Sequence, residues 1–206
     1  MRALAIAAVL AGWLAWPAGL AGAADRVVVA LGDSLTAGLG VAAEDAWPAL
    51  VQARLLREGY AYRVVNAGVS GDTTAGGLRR VDWTLRLKPD VAIVALGAND
   101  GLRGLSLTAM RDNLSQIVTR LQAAGVRVLL AGMRVPPNYG DDYARGFAAV
   151  FDEVRGRARV PLLPFLLDGV AADPRLNQPD GIHPNAAGHR VVAERLWPYL
   201  LPLLAK

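Results

Sequence analysis

The chain has 206 residues, of which 53% are hydrophobic and 19% charged, and this is enough for one globular domain with a sizeable core. Its 22 basic and 18 acidic residues give a net charge of +4 and are spread without a basic cluster, so the sequence does not favour a nucleic-acid-binding protein. The lack of cysteine excludes disulfides, thiolate metal ligands and a cysteine nucleophile.

The first 24 residues are typical of a secretory signal. Arg2 is followed by an uncharged stretch that starts apolar and later contains Ala21-Gly22-Ala23, the A-x-A ending of a cleaved leader. An uncleaved membrane anchor is the alternative, because the uncharged run is just long enough to span a bilayer, although its proline and glycines disfavour a spanning helix. We therefore predict a cleaved signal over residues 1–24 of an exported bacterial protein, periplasmic or secreted, with no stable membrane insertion afterwards. Residues 25–206 are predicted to form a single domain.

From residue 25 onward, short apolar runs alternate with segments of helical periodicity. The runs are predicted strands, the last one weakened by two prolines: 26–31, 64–65, 91–96, 126–131 and 160–165. Apolar residues recur at helical spacing within 47–55 and 110–121, which predicts two amphipathic helices. This alternation indicates an α/β fold with a parallel sheet covered by helices on both faces.

The first three predicted strands each end in a glycine-containing turn that carries polar residues. These turns are Gly32-Asp33-Ser34-Leu35, the segment 66–71 and Gly97-Ala98-Asn99-Asp100. In a flavodoxin-like sheet of five strands, with order 2-1-3-4-5, the three strands are neighbours around the switch point where ligands bind. We therefore expect the three turns to meet in one crevice.

A serine, an acid and a histidine occur in the order that nucleophilic catalysis can use. A serine hydroxyl needs a neighbouring base, and His183 is the candidate base for Ser34. Asp180 lies three residues before His183 and could hold its other ring nitrogen. The order Ser, Asp, His is that of the α/β hydrolases, although their G-x-S-x-G elbow is absent. The only other histidine, His189, is predicted to lie on a helix surface.

Attack on an acyl carbonyl also requires donors for the developing oxyanion. The backbone N–H groups of Ser34 and Gly68 and the side-chain amide of Asn99 are the candidates. Gly68 could instead serve a turn, and Asn99 could be a helix cap. Asp33 and Asp100 are expected to hold their turns by accepting hydrogen bonds from nearby N–H groups.

These blocks resemble the GDSL branch of the SGNH hydrolases, and in particular its exported bacterial members with thioesterase, lysophospholipase and arylesterase activity. The likeness rests on Gly32-Asp33-Ser34-Leu35, Gly68, Gly97-Ala98-Asn99-Asp100 and 180–184, and extends over residues 26–201. It implies a three-layer α/β/α sandwich, a triad of Ser34, Asp180 and His183, and an oxyanion hole of Ser34, Gly68 and Asn99. It also implies that no metal or other cofactor is required. Ala98 departs from the pattern, which has a second glycine there.

Two segments are candidates for contacts with the substrate. The first is interpreted as a mobile loop that folds over an acyl chain, with candidate residues Asp100, Gly101, Leu102 and Leu105. The second is interpreted as another side of the groove, with candidate residues Pro137 and Tyr139. Ordinary loop packing is the alternative for all of them. The expected ligands are small acyl esters or thioesters, with medium acyl chains accepted and little selection of the leaving group, by a protein expected to be monomeric.

Two other functions remain open. A carbohydrate O-acetyl esterase or acyltransferase could use the same fold, but it would need a polar groove for a sugar. A non-catalytic binding protein with a decayed site is the second alternative. The intact set of candidate residues argues against a decayed site.

Overall fold

A computed structural model describes residues 26–206, except for the side chain of Pro137. The predicted signal sequence over 1–24 therefore lies outside the described residues. Within residues 26–206, none of the helices combines the length and the apolar character needed to cross a membrane.

The centre of the fold is a parallel sheet of five strands in the order β2-β1-β3-β4-β5, which confirms the predicted fold class and strand order. Its strands are β1 (Arg26–Gly32), β2 (Tyr62–Gly68), β3 (Val91–Ala95), β4 (Arg127–Ala131) and β5 (Leu162–Leu163). Every residue of β3, the middle strand, is buried, as expected for a continuous apolar run covered on both faces.

Eight α-helices are present in residues 26–206. They are α1 (Ser34–Ala37), α2 (Trp47–Arg57), α3 (Thr74–Arg79), α4 (Val81–Arg86), α5 (Ala98–Leu102), α6 (Leu107–Ala123), α7 (Asp141–Ala158) and α8 (Ala186–Leu200). Helix α2 packs on α8, while α6 packs on α3, α4 and α7. Right-handed crossovers put these two groups on opposite faces of the sheet, which gives the three-layer sandwich.

Three predicted elements differ in extent from the observed ones, and the first is β2, which covers Tyr62–Gly68 where a strand over 64–65 was predicted. Strand β5 has two residues where six were expected, because Pro161 and Pro164 flank it and proline has no N–H to donate to a ladder. The segment 100–105 was expected to be a mobile loop, but its first three residues belong to α5. Helices α3, α4 and α7 were not predicted at all.

The register of the strands brings their carboxyl ends level with one another. Gly32 of β1 lies opposite Gly68 of β2 on one side and opposite Ala95 of β3 on the other. The turns after these three strands therefore start at the same edge of the sheet. Every candidate catalytic residue from the first half of the chain lies in one of these turns.

Candidate active site

Ser34 lies at the start of the short helix that follows β1. Asp33 caps this helix, since its Oδ1 accepts a hydrogen bond of 3.0 Å from the N–H of Leu35. This contact confirms the expectation that Asp33 holds its own turn. Ser34 is 8% exposed, so neighbouring residues cover most of its surface.

His183 reaches Ser34 from the loop that precedes α8. Its Nε2 lies 2.9 Å from Oγ of Ser34, and its Nδ1 lies 2.7 Å from Oδ2 of Asp180. The side chain of Gln178 links this loop to the end of α1, because its Nε2 donates to the carbonyl oxygens of Leu39 and Pro184. The three residues predicted to act together are thus in one hydrogen-bonded chain.

The protonation of this chain follows from the environment of Asp180. Its Oδ1 accepts the backbone N–H groups of His183 and Ile182, and its Oδ2 contacts the imidazole; together these contacts lower the pKa of Asp180 to about 2. An ionised carboxylate can only accept, so Nδ1 of His183 carries the hydrogen in this contact. In a neutral imidazole with this tautomer, Nε2 is the nitrogen that accepts the hydrogen bond from the hydroxyl of Ser34.

Asn99, in the first turn of α5, contacts Asp33, the residue that directly precedes the candidate nucleophile. Its Nδ2 donates 2.9 Å to the carbonyl oxygen of Asp72 and makes a longer contact of 3.4 Å with Oδ2 of Asp33. The long contact is weak by geometric criteria, so one N–H of the amide remains available to a ligand. Asn99 is therefore in a position to serve as an oxyanion donor.

The backbone N–H of Gly68, predicted to be a second donor, is already used within the protein. It donates 2.9 Å to Oδ1 of Asn66, so it is not free for an oxyanion. The absence of a Cβ has a packing reason, because a side chain there would overlap the backbone of Ala37. The prediction for Gly68 is therefore wrong, and the alternative of a structural glycine is correct.

Gly71, three residues further along the same turn, has the properties that Gly68 lacks. It is exposed and adopts a φ of +78°, and its N–H has no acceptor among residues 26–206. The next residue, Asp72, is the one whose carbonyl oxygen holds Asn99. The free amide of this turn thus lies beside the side-chain donor. The positive φ, which favours glycine, is the reason for a glycine here.

Asp33 is a buried carboxyl next to the nucleophile. It is 1% exposed, and this burial raises the pKa of Asp33 to about 6, against the opposing effects of the Leu35 N–H and His183. The sequence analysis did not anticipate this, because burial of a turn residue depends on the helices packed around it.

Two of the predicted substrate residues are part of the interior. Asp100 is 3% exposed, and its two oxygens accept the N–H and the hydroxyl of Thr74 at 2.8 and 2.6 Å. Gly101 is buried, and a Cβ there would overlap Val135 and Phe147. The interpretation of Asp100 and Gly101 as substrate contacts is therefore wrong. Asp100 instead ties the turn after β3 to the start of α3.

The remaining candidates in these segments stay at the surface. Leu105 is 42% exposed and follows α5, and Leu102 is half-buried. The hydroxyl of Tyr139 donates 2.8 Å to the carbonyl oxygen of Leu102, so the two predicted segments are in contact. The side chain of Pro137 lies outside the described part of the structure.

Three exposed apolar residues at this edge were missed by the sequence analysis. Leu39, Val69 and Ile182 are each about half exposed, at 46%, 45% and 45%. They lie after α1, after β2 and directly before His183, so each belongs to a loop that also carries a candidate catalytic group. Only the strand order, and not any local motif, brings these three loops together.

His189 is not a surface residue, contrary to the prediction. It is 1% exposed, and its Nδ1 accepts a hydrogen bond of 3.3 Å from the N–H of Trp47 at the start of α2. This burial lowers the pKa of His189 to about 4. The imidazole is therefore a neutral part of the contact between α2 and α8 and has no part in the candidate site.

Comparison with known families gives an independent assignment. The profile of the GDSL-like Lipase/Acylhydrolase family matches residues 30–191, a range that includes all the catalytic candidates. The chain belongs to this family. The resemblance seen in the sequence blocks is thereby confirmed.

The GDSL-like chain is also similar to individual proteins over most of its length. Esterase TesA of Pseudomonas aeruginosa is 44% identical over 183 residues, covering 88% of this chain and 91% of that protein. Thioesterase 1/protease 1/lysophospholipase L1 of Escherichia coli K12 is 40% identical over 185 residues, covering 89% and 87%. The crystal structure of TesA superimposes with a TM-score of 0.85 at 43% identity, covering 87% of this chain and all of that one.

Ala98, the departure from the pattern of this GDSL-like branch, is accommodated by the helix that it begins. It is the first residue of α5, and its methyl group packs partly against the main hydrophobic core. The residue before it, Gly97, adopts a φ of +117°, which favours glycine. The extra methyl group is thus directed to packing and leaves the amide of Asn99 accessible.

Proposed function

We propose that this protein is a serine esterase and thioesterase that hydrolyses acyl esters through an acyl-enzyme on Ser34. The observation that carries the proposal is the hydrogen-bonded chain from Asp180 through His183 to Ser34, with distances of 2.7 and 2.9 Å. Membership of the GDSL-like family supports the same reaction class. The names of the relatives, esterase and thioesterase/lysophospholipase, support it as well.

In the first half of the reaction, His183 takes the hydroxyl proton of Ser34 while Oγ attacks the acyl carbonyl carbon. The carbonyl oxygen becomes an oxyanion, for which the donors are the N–H of Ser34, the N–H of Gly71 and Nδ2 of Asn99. His183 then gives its Nε2 proton to the leaving group, which accepts it on oxygen if it is an alcohol and on sulfur if it is a thiol. Asp180 stays ionised and stabilises the imidazolium throughout.

In the second half, a water molecule takes the place of the leaving group. His183 accepts a proton from this water, and the resulting hydroxide oxygen bonds to the acyl carbon. The second tetrahedral intermediate uses the same three donors, because its oxyanion is on the same oxygen. It collapses to the free acid, and His183 returns the proton to Oγ of Ser34.

The surroundings of Ser34 favour a lipid-like acyl group over a sugar. The large apolar side chains exposed on the loops of this edge are Leu39, Val69, Leu105 and Ile182. Such residues gain free energy by covering an alkyl chain, at about 0.8 kcal/mol for each methylene that is buried. A carbohydrate O-acetyl esterase would instead need polar groups at this rim. We therefore expect medium-chain acyl esters, acyl thioesters and lysophospholipids to be better substrates than acetylated sugars.

Labelling with a fluorophosphonate tests the nucleophile. The mature protein is expected to gain one adduct, which peptide mapping locates on Ser34, and to lose ester hydrolysis in proportion to labelling. Ser34→Ala is expected to take no label while keeping the thermal midpoint. Thr119→Ala removes an exposed hydroxyl from α6 and should label normally. An unlabelled wild-type protein, or an active Ser34→Ala variant, would refute the proposal.

Acyl specificity is tested by kcat/KM for p-nitrophenyl esters from acetyl to dodecanoyl, with acyl-CoA thioesters and lysophosphatidylcholine for comparison. Leu105→Ala is expected to lower kcat/KM for octanoyl esters by about 3–10-fold and to leave acetyl esters unchanged. Leu56→Ala, which removes an exposed leucine on α2, is the matched control. Equal effects on acetyl and octanoyl esters would remove Leu105 from the acyl site.

We also propose that residues 1–24 direct export and are then removed. The support is the charge pattern of this segment, with Arg2 followed by an uncharged, largely apolar run and an A-x-A ending. Amino-terminal sequencing of the protein from a periplasmic fraction should begin close to Asp25. Recovery of the intact chain from the membrane fraction would favour the anchor instead.

A further inference from the structure

Arg80 lies between α3 and α4. Its guanidinium contacts the carboxyl ends of β1 and β2 and the turn that leads from β2 to α3. It donates 2.9 Å to the carbonyl oxygen of Ala67 in β2 and 3.1 Å to that of Gly32 in β1. Its Nε and Nη2 both donate to Oδ2 of Asp72, at 2.9 and 2.6 Å. One side chain therefore joins β1, β2 and the turn that carries Gly71.

The contacted groups are the immediate supports of the candidate oxyanion donors. Gly32 is two residues before Ser34. The carbonyl oxygen of Asp72 holds Nδ2 of Asn99 at 2.9 Å, and the amide of Gly71 directly precedes Asp72. A shift of Asp72 would thus move two of the three donors relative to the third.

The local sequence is adapted to this ion pair. A Cβ on Gly76 would overlap Oδ1 of Asp72, so the glycine in the first turn of α3 makes room for the carboxylate. The side chains of Arg80 and Asp72 are 22% and 12% exposed, whereas most other arginine–carboxylate pairs in residues 26–206 include a side chain that is more than 40% exposed. Only a planar guanidinium can reach both carbonyl oxygens and the carboxylate at once, because an ammonium lacks the fixed fork of donors.

We propose that Arg80 is a positioning residue for the oxyanion hole: by pairing with Asp72 it fixes the Gly71 amide and Asn99 relative to Ser34. This inference rests on the proposed function. Donors of this kind stabilise a transition state only when they are already in place, and a displacement of about 1 Å can cost about 10²-fold in rate. Arg80 acts through other residues and does not itself touch the substrate.

The test compares Arg80→Lys with Arg79→Lys, which changes the neighbouring exposed arginine at the end of α3. Both are assayed on p-nitrophenyl hexanoate well below their thermal midpoints. Arg80→Lys is expected to lower kcat by about 10–100-fold with KM changed by less than about threefold, since the loss is confined to the transition state. Arg79→Lys should match the wild type in both parameters.

A second measurement separates positioning from a merely structural role. A trifluoromethyl ketone forms a hemiketal oxyanion with Ser34, and its affinity should fall in Arg80→Lys by the same factor as kcat. The affinity for hexanoate, a product that makes no hemiketal, should stay the same. Asp72→Asn is a milder change of the same pair, and its kcat is expected to lie between those of the wild type and Arg80→Lys. It replaces Arg80→Lys in the test if that variant does not fold.

Three results would overturn the inference. They are a wild-type kcat in folded Arg80→Lys, a wild-type kcat in folded Asp72→Asn, and equal weakening of the trifluoromethyl ketone and hexanoate. Each of these leaves the proposed function standing as long as Ser34→Ala is inactive. Activity in Ser34→Ala would instead remove the proposed function itself.

Discussion

Nε2 of His183 lies 2.9 Å from Oγ of Ser34, although 149 residues separate the two in the chain. Ser34 is fixed by the end of β1 and the cap of α1, while His183 arrives on the loop before α8. The short contact depends on the strand order, which places β1 between β2 and β3 in the interior of the sheet.

Asp180→Asn is expected to lower kcat by about 10⁴-fold while leaving the fold intact. The new side chain can still accept the two backbone N–H groups, but its amide would donate to Nδ1 of His183. The imidazole would then carry its hydrogen on Nε2 and could not accept the proton of Ser34. Steady-state kinetics and circular dichroism check this, with Asp173→Asn, whose carboxylate also accepts a backbone N–H, as the control. A loss below about tenfold would show that Asp180 does not set the tautomer.

Asn99→Ala is expected to lower kcat by about 10²–10³-fold with little change in KM, since the amide serves an oxyanion that exists only in the transition state. Gln116→Ala removes an exposed side-chain amide from α6 and should leave kcat and KM unchanged. Pre-steady-state acylation with p-nitrophenyl hexanoate is the direct measurement. A rise in KM with kcat unchanged would instead indicate a role in ground-state binding.

Asp33→Asn is expected to stabilise the protein at pH 8 and to lower its activity. The pKa of Asp33 is raised to about 6 from 3.8, so its contribution to stability is fully present below pH 3.8 and is lost as the pH rises through 6. The cost of the buried charge at pH 8 is on the order of 3 kcal/mol. Urea unfolding at pH 4 and pH 8 should show the gain only at pH 8.

The activity of Asp33→Asn should fall because the new amide would face Nδ2 of Asn99, donor against donor, and turn the oxyanion donor away. The same stability at pH 8 in the variant and the wild type would contradict the burial argument. Unchanged kcat would show that the contact of Asp33 with Asn99 does not orient that amide.

His189→Asn is expected to reduce the acid lability of the protein. Because the folded-state pKa of His189 is lowered to about 4, the contribution of His189 to the free energy of unfolding is present above pH 6.5 and is lost as the pH falls through 4. Protonation would also leave the N–H of Trp47 without its acceptor. The change in the free energy of unfolding between pH 7.5 and pH 4.5 should be about 2–3 kcal/mol smaller in the variant.

The parts of the fold that could be predicted are those with a local signal. Buried runs such as 26–31 and 91–96 end in glycine turns, and parallel strands share one edge at which such turns meet. Ser34, Asn99 and His183 could therefore be brought together from the sequence, with Asp180 following from its spacing. Residue type and strand end were sufficient for Ser34 and Asn99, whereas His183 and Asp180 followed from their residue types and their spacing.

The errors arose where a side chain from elsewhere decides the outcome. Gly68 and Gly71 lie in the same turn, and only the hydrogen bond from Gly68 to Asn66 shows which amide is free. Asp100 is buried, and its carboxylate accepts a hydrogen bond from Thr74, which is 26 residues away in the chain. His189 is buried because α2 packs on α8, a contact that no local pattern indicates.

Asp180 accepts both the backbone N–H and the ring N–H of His183, so the acid and the base form one self-contained turn. If this loop moved away from Ser34, the imidazole would keep its tautomer, and only the distance to the nucleophile would change. Homologous loops with different flanking residues could accordingly be exchanged between scaffolds as a single short peptide. Evolution could reshape the mouth of the enzyme through such exchanges without having to rebuild the proton acceptor each time.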